Sequence, residues 1–402
     1  MNKYFFLILS LLISASLAGC GAGSGGDSNS DSVNNNGGNG NITYVSGEFK
    51  TANDSRHYYP DDSSLSGNLA EECIYQYNYN YFESANTLIY GDPTLPDTDF
   101  KYAATLIENN LDKAFDLMGL DRSEFNNFRP RYSSIVARNM ISFLDGYEDL
   151  EGKNQDITSI DSDFVAPDGW AEMQSYARIS FIKGYWNDIS DEKQDQLIAI
   201  YNQRYSFDVT NGYLIPDKIV VCLDTTRDKV LYGQSTLLGM NLAPNSRASR
   251  SDAEQVILHE LIHTIQLNVS TPVDAGGVND IWFMEGQASF LAGQKVAASA
   301  DGFYPVDVVH FADADTVFQD NLGVAYEHYA KAYSYIDANS GKEAALRLLI
   351  NVRHYQGGGT NDTYYGVSSD RFSAAFGANM LKKDGNPLTI EDYRNNYHSI
   401  VE

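Results

Sequence analysis

The run "AEQVILHELIHTIQL", Ala253 to Leu267, sets the strongest constraint on what this 402-residue chain can fold into. Leu258, Leu261, Ile262 and Ile265 recur at helical spacing, so a helix that buries one stripe is expected. Ser251 and Asp252, just ahead, are the expected N-cap residues. His259 and His263 lie one turn apart on a different face, with Glu260 beside them. Such a helix can pack against the core on one side while both imidazoles face a cleft on the other.

Two histidines four apart on a helix can converge on one zinc ion, and a glutamate after the first can act as base toward a metal-bound water. The alternative is a pair of satisfied core histidines. Seven histidines in the whole chain make a chance match uncommon. A third histidine in the spacing H-E-x-x-H-x-x-G-x-x-H is excluded, because Gln266 and Val269 occupy the later positions. Downstream, "NDIWFMEGQASFLAGQ" looks helical, with Ile281, Met284, Ala288 and Leu291 on one face. Glu285 falls off that face and can point toward the first helix, although a lone helical glutamate can equally be solvated.

"HELIHTIQ" followed by "WFMEGQASF" resembles the gluzincin zinc metallopeptidases, in particular the peptidase MA-like group related to the aminopeptidase N family. The resemblance implies His259, His263 and Glu285 as ligands of one zinc ion and Glu260 as the catalytic base. It implies an α+β fold: a zincin-type domain with a mixed twisted sheet and the active-site helix, then a mostly helical C-terminal subdomain. The gap from His263 to Glu285 is slightly longer than is usual in the aminopeptidases. In those relatives a tyrosine of a later helix stabilises the oxyanion. Within "YEHYAKAYSYIDANSGKEAALRLLINV" Tyr329 is the first candidate and Tyr326 the alternative, with a packed aromatic stripe as the bland reading. "FSAAFGANM" matches the segment after it in outline. His310, His328 and His354 are expected to be structural or solvent-facing, since no spacing ties them to the metal.

Upstream, "ANTLIYGD" reads as a strand, and "TDFKYAATLIENNLDKAFDLMG" as a helix that Gly119 ends. Residues 130–207 read as a mostly helical insertion, with helices around "SIVARNMISFLDGY" and "DEKQDQLIAIYNQRY". "DKIVVCLDT" is expected to be a buried strand and "QSTLLGMNLAPNS" an edge strand along which substrate would lie.

The first residues, "MNKYFFLILSLLISASLAGC", carry a basic start, a short apolar run and small residues before a cysteine, the pattern of an export signal. "LAGC" resembles the bacterial lipobox, which implies a leader over 1–19, lipidation at Cys20 and a membrane-anchored envelope lipoprotein; Gly21 implies the outer membrane of a Gram-negative bacterium. The Gly/Ser/Asn-rich stretch over 20–45 should be a flexible tether. An N-terminal α/β part over 46–250, holding the insertion, and a part over 251–402 with the motif helix complete the expected organisation. Cys73 and Cys222 are candidates for a disulfide, with two buried thiols the alternative. A net charge of −26 disfavours nucleic acid as a partner. The expected activity is therefore zinc-dependent hydrolysis of a peptide or protein substrate by a monomer, with a slight preference for internal bonds. A non-catalytic peptide- or protein-binding lipoprotein on the same fold is the other reading.

Overall fold

Two short runs, "TLIYG" and "IVVCL", are buried at every position, which suits strands covered on both faces rather than half-exposed ones. They form β3 (Thr87–Gly91) and β4 (Ile219–Leu223), paired in parallel at the middle of a six-stranded mixed sheet. On one side β2 (Asn80–Glu83) and β1 (Glu48–Thr51) add antiparallel. On the other, β6 (Gly239–Leu242) pairs in parallel with β4, and β5 (Gly233–Ser235) adds antiparallel to β6. The computed structural model describes residues 42–51, 80–132, 134–146, 156–206, 208–210, 217–223, 233–235, 239–242, 250–271, 279–300, 302–310, 313, 317, 322–355 and 366–402. The expected leader, Cys20 and Cys73 lie outside the described residues. Cys222 on β4 is disulfide-bonded.

The sheet corrects one expectation. "GMNL" is β6, an interior strand held on both sides, and the sheet edge nearest the motif helix is β5. The sequence misleads here because β6 is short, while β5 is only three residues long and has no apolar alternation to announce it. Gly239 allows the close pairing, since a Cβ there would meet the Val220 carbonyl oxygen at 1.8 Å. The tether expectation also shortens: the Val45 amide donates to Thr105 Oγ1 at 3.0 Å, so the chain is already docked there.

Helix α1 (Asp97–Met118) follows β3 and ends on Gly119, whose φ of 77° supplies the left-handed cap. It packs against β3 and against α7 (Arg250–Ser270), the helix that carries the histidines. Between them in sequence come α2 (Arg122–Phe128), α3 (Ser134–Leu144), α4 (Ile157–Ile160), α5 (Ser175–Asp188) and α6 (Asp191–Tyr205). Most of the described residues of this stretch are helical. Its side chains, from Tyr132 through Met140, Ile182, Trp186 and Leu197 to Val209, form a hydrophobic cluster separate from the main one.

The C-terminal part is helical: α8 (Ile281–Leu291), α9 (Leu322–Arg353, kinked at Gly341), α10 (Asp370–Asn379) and α11 (Ile390–Val401). The architecture is α+β, with α8 and α9 packed over α7 and with α10 and α11 packed on α9. Among the described residues no helix is long and apolar enough to cross a membrane.

The N-terminus of α8 is pinned from several directions. Asp280 Oδ2 accepts from Ser368 Oγ (2.7 Å), Trp282 Nε1 (3.1 Å) and an Arg394 guanidinium nitrogen of α11 (3.3 Å). Trp282 is fully buried against Phe283, Phe376 and Tyr393. Along the other face, α8 approaches α9 so closely that a Cβ on Gly286 would meet the Tyr329 carbonyl oxygen at 2.4 Å. Backbone cannot retreat as a side-chain tip can, so Gly286→Ala should cost about 1 to 3 kcal/mol or more of stability. Chemical denaturation of the two proteins measures it, and equal midpoints would refute the tight crossing.

Candidate metal centre

Helix α7 is buried on more than the expected stripe. Leu258, Leu261, Ile262 and Ile265 are buried, and so are His259, Glu260, His263, Thr264 and Gln266 on the other side. The imidazoles therefore sit in the interior rather than on an open cleft face. The N-cap expectation also changes: the helix already begins at Arg250, so Ser251 and Asp252 lie in its first turn. Thr264 Oγ1 donates to the Gly239 carbonyl oxygen of β6 at 3.2 Å, which fixes the rotation of α7 on the sheet.

The helical rise places the two imidazoles one turn apart with ring centres separated by 4.5 Å. Helix α8 packs across them and delivers Glu285. Its Oε2 lies 3.3 Å from His259 Nε2 and 3.2 Å from His263 Nε2. Each of the three residues offers a ligand atom, and these atoms all lie within 4.8 Å of one another. The cluster that the sequence suggested from two separate segments is thus brought together at one buried point.

Burial alone would lower the basicity of His263, but the Glu285 carboxylate beside it, helped by Glu260, outweighs this and raises the imidazole well above its ordinary range. Burial likewise works to raise Glu285, and the two histidines overcome it and hold the carboxyl low. In the metal-free protein His263 and Glu285 thus favour an imidazolium–carboxylate pair. The other carboxylate oxygen, Glu285 Oε1, is buried without a hydrogen-bond partner among the described residues. A buried acceptor left in that state costs about 1 to 3 kcal/mol, and a cation would satisfy it. Two imidazole nitrogens and a carboxylate are a donor set that suits zinc. Among the described residues no fourth histidine, cysteine, aspartate or glutamate joins them.

Sequence reasoning missed the support behind His263. Its Nδ1–H donates to Gln266 Oε1 at 2.7 Å. The Gln266 amide nitrogen donates to the Met284 carbonyl oxygen (3.0 Å) and to Gln287 Oε1 (2.8 Å), and Gln287 Nε2 donates to the Tyr333 hydroxyl (2.9 Å). All these residues are buried. Gln266 had entered the sequence argument only as a place where a third histidine was absent. A glutamine on the polar face of a helix that otherwise buries every side was the available signal.

The tyrosines separate clearly. Tyr326 is half-buried with its ring 6.2 Å from that of His259, edge to face. Tyr329, the first candidate, is buried in the main core beside Gly286, with its ring 5.8 Å from Tyr326. Tyr333 receives Gln287, and Tyr335 stacks on Tyr393. Two of the other histidine candidates have different neighbours. His328 packs on Phe303, and His354 pairs with Asp188 at 2.8 Å. His354 also lines a polar cavity of about 330 Å³, together with Arg129 and Arg353. No residue of the donor cluster borders that cavity.

A cation entering the cluster has to displace the proton on His263, because only a neutral imidazole ligates. A raised imidazole pKa means that this proton is still bound at neutral pH, so metal affinity should rise with pH until it is lost. Calorimetry in buffers of different ionisation enthalpy should show protons released on zinc uptake near pH 7; uptake with no proton release would contradict a protonated His263 in the metal-free protein. No protein-family model, curated protein or solved structure matches this chain, so the assignment of the centre rests on its geometry.

Proposed function

We propose that the chain is a zinc metallopeptidase of the gluzincin type, built on a zincin-type α/β part with a helical C-terminal part, and exported as a lipid-anchored envelope protein. One observation carries the reading. Three convergent donors with no fourth protein ligand among the described residues sit beside a buried glutamate that immediately follows the first donor. A structural zinc site is closed by four protein ligands, whereas a catalytic one keeps a position open.

His259, His263 and Glu285 would hold the ion, which supplies a Lewis acid that acidifies water and polarises a carbonyl. Glu260 takes a proton from the attacking water as its oxygen bonds to the scissile carbon, then delivers that proton to the amine as the C–N bond breaks. Of the two tyrosine candidates, Tyr326 is the better placed to donate its O–H to the carbonyl oxygen as charge develops there, because its ring borders His259. Tyr329 instead serves the packing of α9 on α8. Substrate backbone would add to the β5 edge rather than to the interior strand β6. Lipid attachment at Cys20 would hold the folded part at the membrane surface, and a peptide or protein is the partner.

The test uses purified protein and a fluorescence-quenched peptide library. Wild type should carry about one zinc per chain and cleave the library. Glu260→Gln should keep the metal while turnover falls roughly 100- to 10,000-fold, and Tyr326→Phe should lower kcat about 100-fold. His263→Ala should lose the metal. Zinc retained without any cleavage by wild type would favour a binding protein; full activity of Glu260→Gln would remove the assigned base.

A further inference from the structure

The bond between His263 and Gln266 has a direction that a backbone group imposes. A glutamine amide can be turned either way round, and a histidine can carry its proton on either nitrogen, so that contact alone leaves the tautomer open. The Met284 carbonyl oxygen closes the choice. It can only accept, and it lies 3.0 Å from one end of the Gln266 amide, which must therefore be the NH2 end. The other end, the amide oxygen, then faces His263 Nδ1 at 2.7 Å, so Nδ1 carries a hydrogen. That leaves the Nε2 position, 3.2 Å from Glu285 Oε2, as the one from which His263 can ligate.

The same glutamine also sets the register between the two ligand helices. Met284 immediately precedes Glu285, so a bond from α7 to the Met284 carbonyl fixes where α8 places its carboxylate along α7. The second Gln266 N–H reaches Gln287, on the next turn of α8, and Gln287 continues to Tyr333 on α9. Tyr333 lies seven residues, about two turns, beyond Tyr326 on the same helix. One buried chain of side chains thus joins a ligand histidine, the ligand glutamate's helix and the helix that carries Tyr326.

We propose that Gln266 is a positioning residue for the metal centre: it holds His263 with Nε2 available to the ion and docks the Glu285 segment, with Gln287 and Tyr333 bracing it. This rests on the three-donor centre proposed above. The partner is a neutral amide, not a carboxylate, so it orients the imidazole without adding a negative charge behind it. Glu285 is then the anionic ligand of the cluster, and the ion retains net positive charge for polarising a carbonyl.

The experiment compares wild type, Gln266→Met and Gln287→Met by chelator-competition titration with zinc and by the visible absorption of the cobalt(II)-loaded proteins. Thermal unfolding of each metal-free protein is recorded alongside. Methionine keeps the length and bulk of glutamine and removes its hydrogen bonds. Gln266→Met should weaken zinc binding roughly 10- to 100-fold and alter the cobalt spectrum, while Gln287→Met should give a smaller loss in the same direction. Unchanged zinc affinity and cobalt spectrum in Gln266→Met, with only a lower unfolding temperature, would reduce Gln266 to a packing residue and overturn the proposal. If Gln266→Met does not fold, Gln287→Met decides: a measurable loss of affinity supports the relay, and wild-type affinity overturns it. A wild type that binds no metal would instead overturn the three-donor centre itself.

Discussion

Two helices crossing at one buried point, α7 with His259 and His263 and α8 with Glu285, are the arrangement on which the rest of the structure depends. Taking a carboxylate and two imidazoles out of water is costly unless their charges are matched inside. Here protonation of His263 matches the Glu285 carboxylate in the metal-free protein, and a divalent ion is suited to do so in its place. Either match works only while the donor atoms stay within a few ångströms of each other. The surrounding elements can be understood by how they keep them there.

The sheet provides the floor. Buried strand β3 carries α1, and β6 accepts Thr264 of α7 at its Gly239 carbonyl, so rotation of the ligand helix is tied to the backbone of a strand. The C-terminal helices provide the roof. Asp280 gathers Ser368, Trp282 and Arg394 at the start of α8, and Gly286 lets α9 close on its flank. At the far end of α7, an Arg353 guanidinium nitrogen donates to the carbonyl oxygens of Asn268 (2.9 Å) and Thr271 (3.2 Å), satisfying acceptors that a helix terminus leaves open. The helical insertion, with its own core, stands apart from this work.

Much of this was legible in the sequence where periodicity and chemistry agreed. The i, i+3, i+4 stripe of α7, the glycine stop of α1 and the β-branched run of β4 follow from local pattern, whereas Glu285 joined His259 and His263 only through the resemblance of the two motif segments to a known family. What was not legible depended on the third dimension. β6 looked like an edge because nothing local announces β5, a three-residue strand whose pairing alone makes it the border. Tyr329 and Tyr326 differ by three residues, nearly one turn, so only the packing of α9 on α8 decides which ring meets His259. Gln266 was legible only as a polar residue on the ligand face; its role depends on Met284 and Gln287, which come from another helix.

Anomalous diffraction from crystals of the zinc-supplemented protein, recorded on either side of the zinc absorption edge, tests the central claim most directly. The expected result is a single strong peak bounded by His259 Nε2, His263 Nε2 and the Glu285 carboxylate, with no fourth protein side chain in its coordination sphere. A peak elsewhere with none at this point, or a fourth protein ligand closing the ion in, would contradict the account.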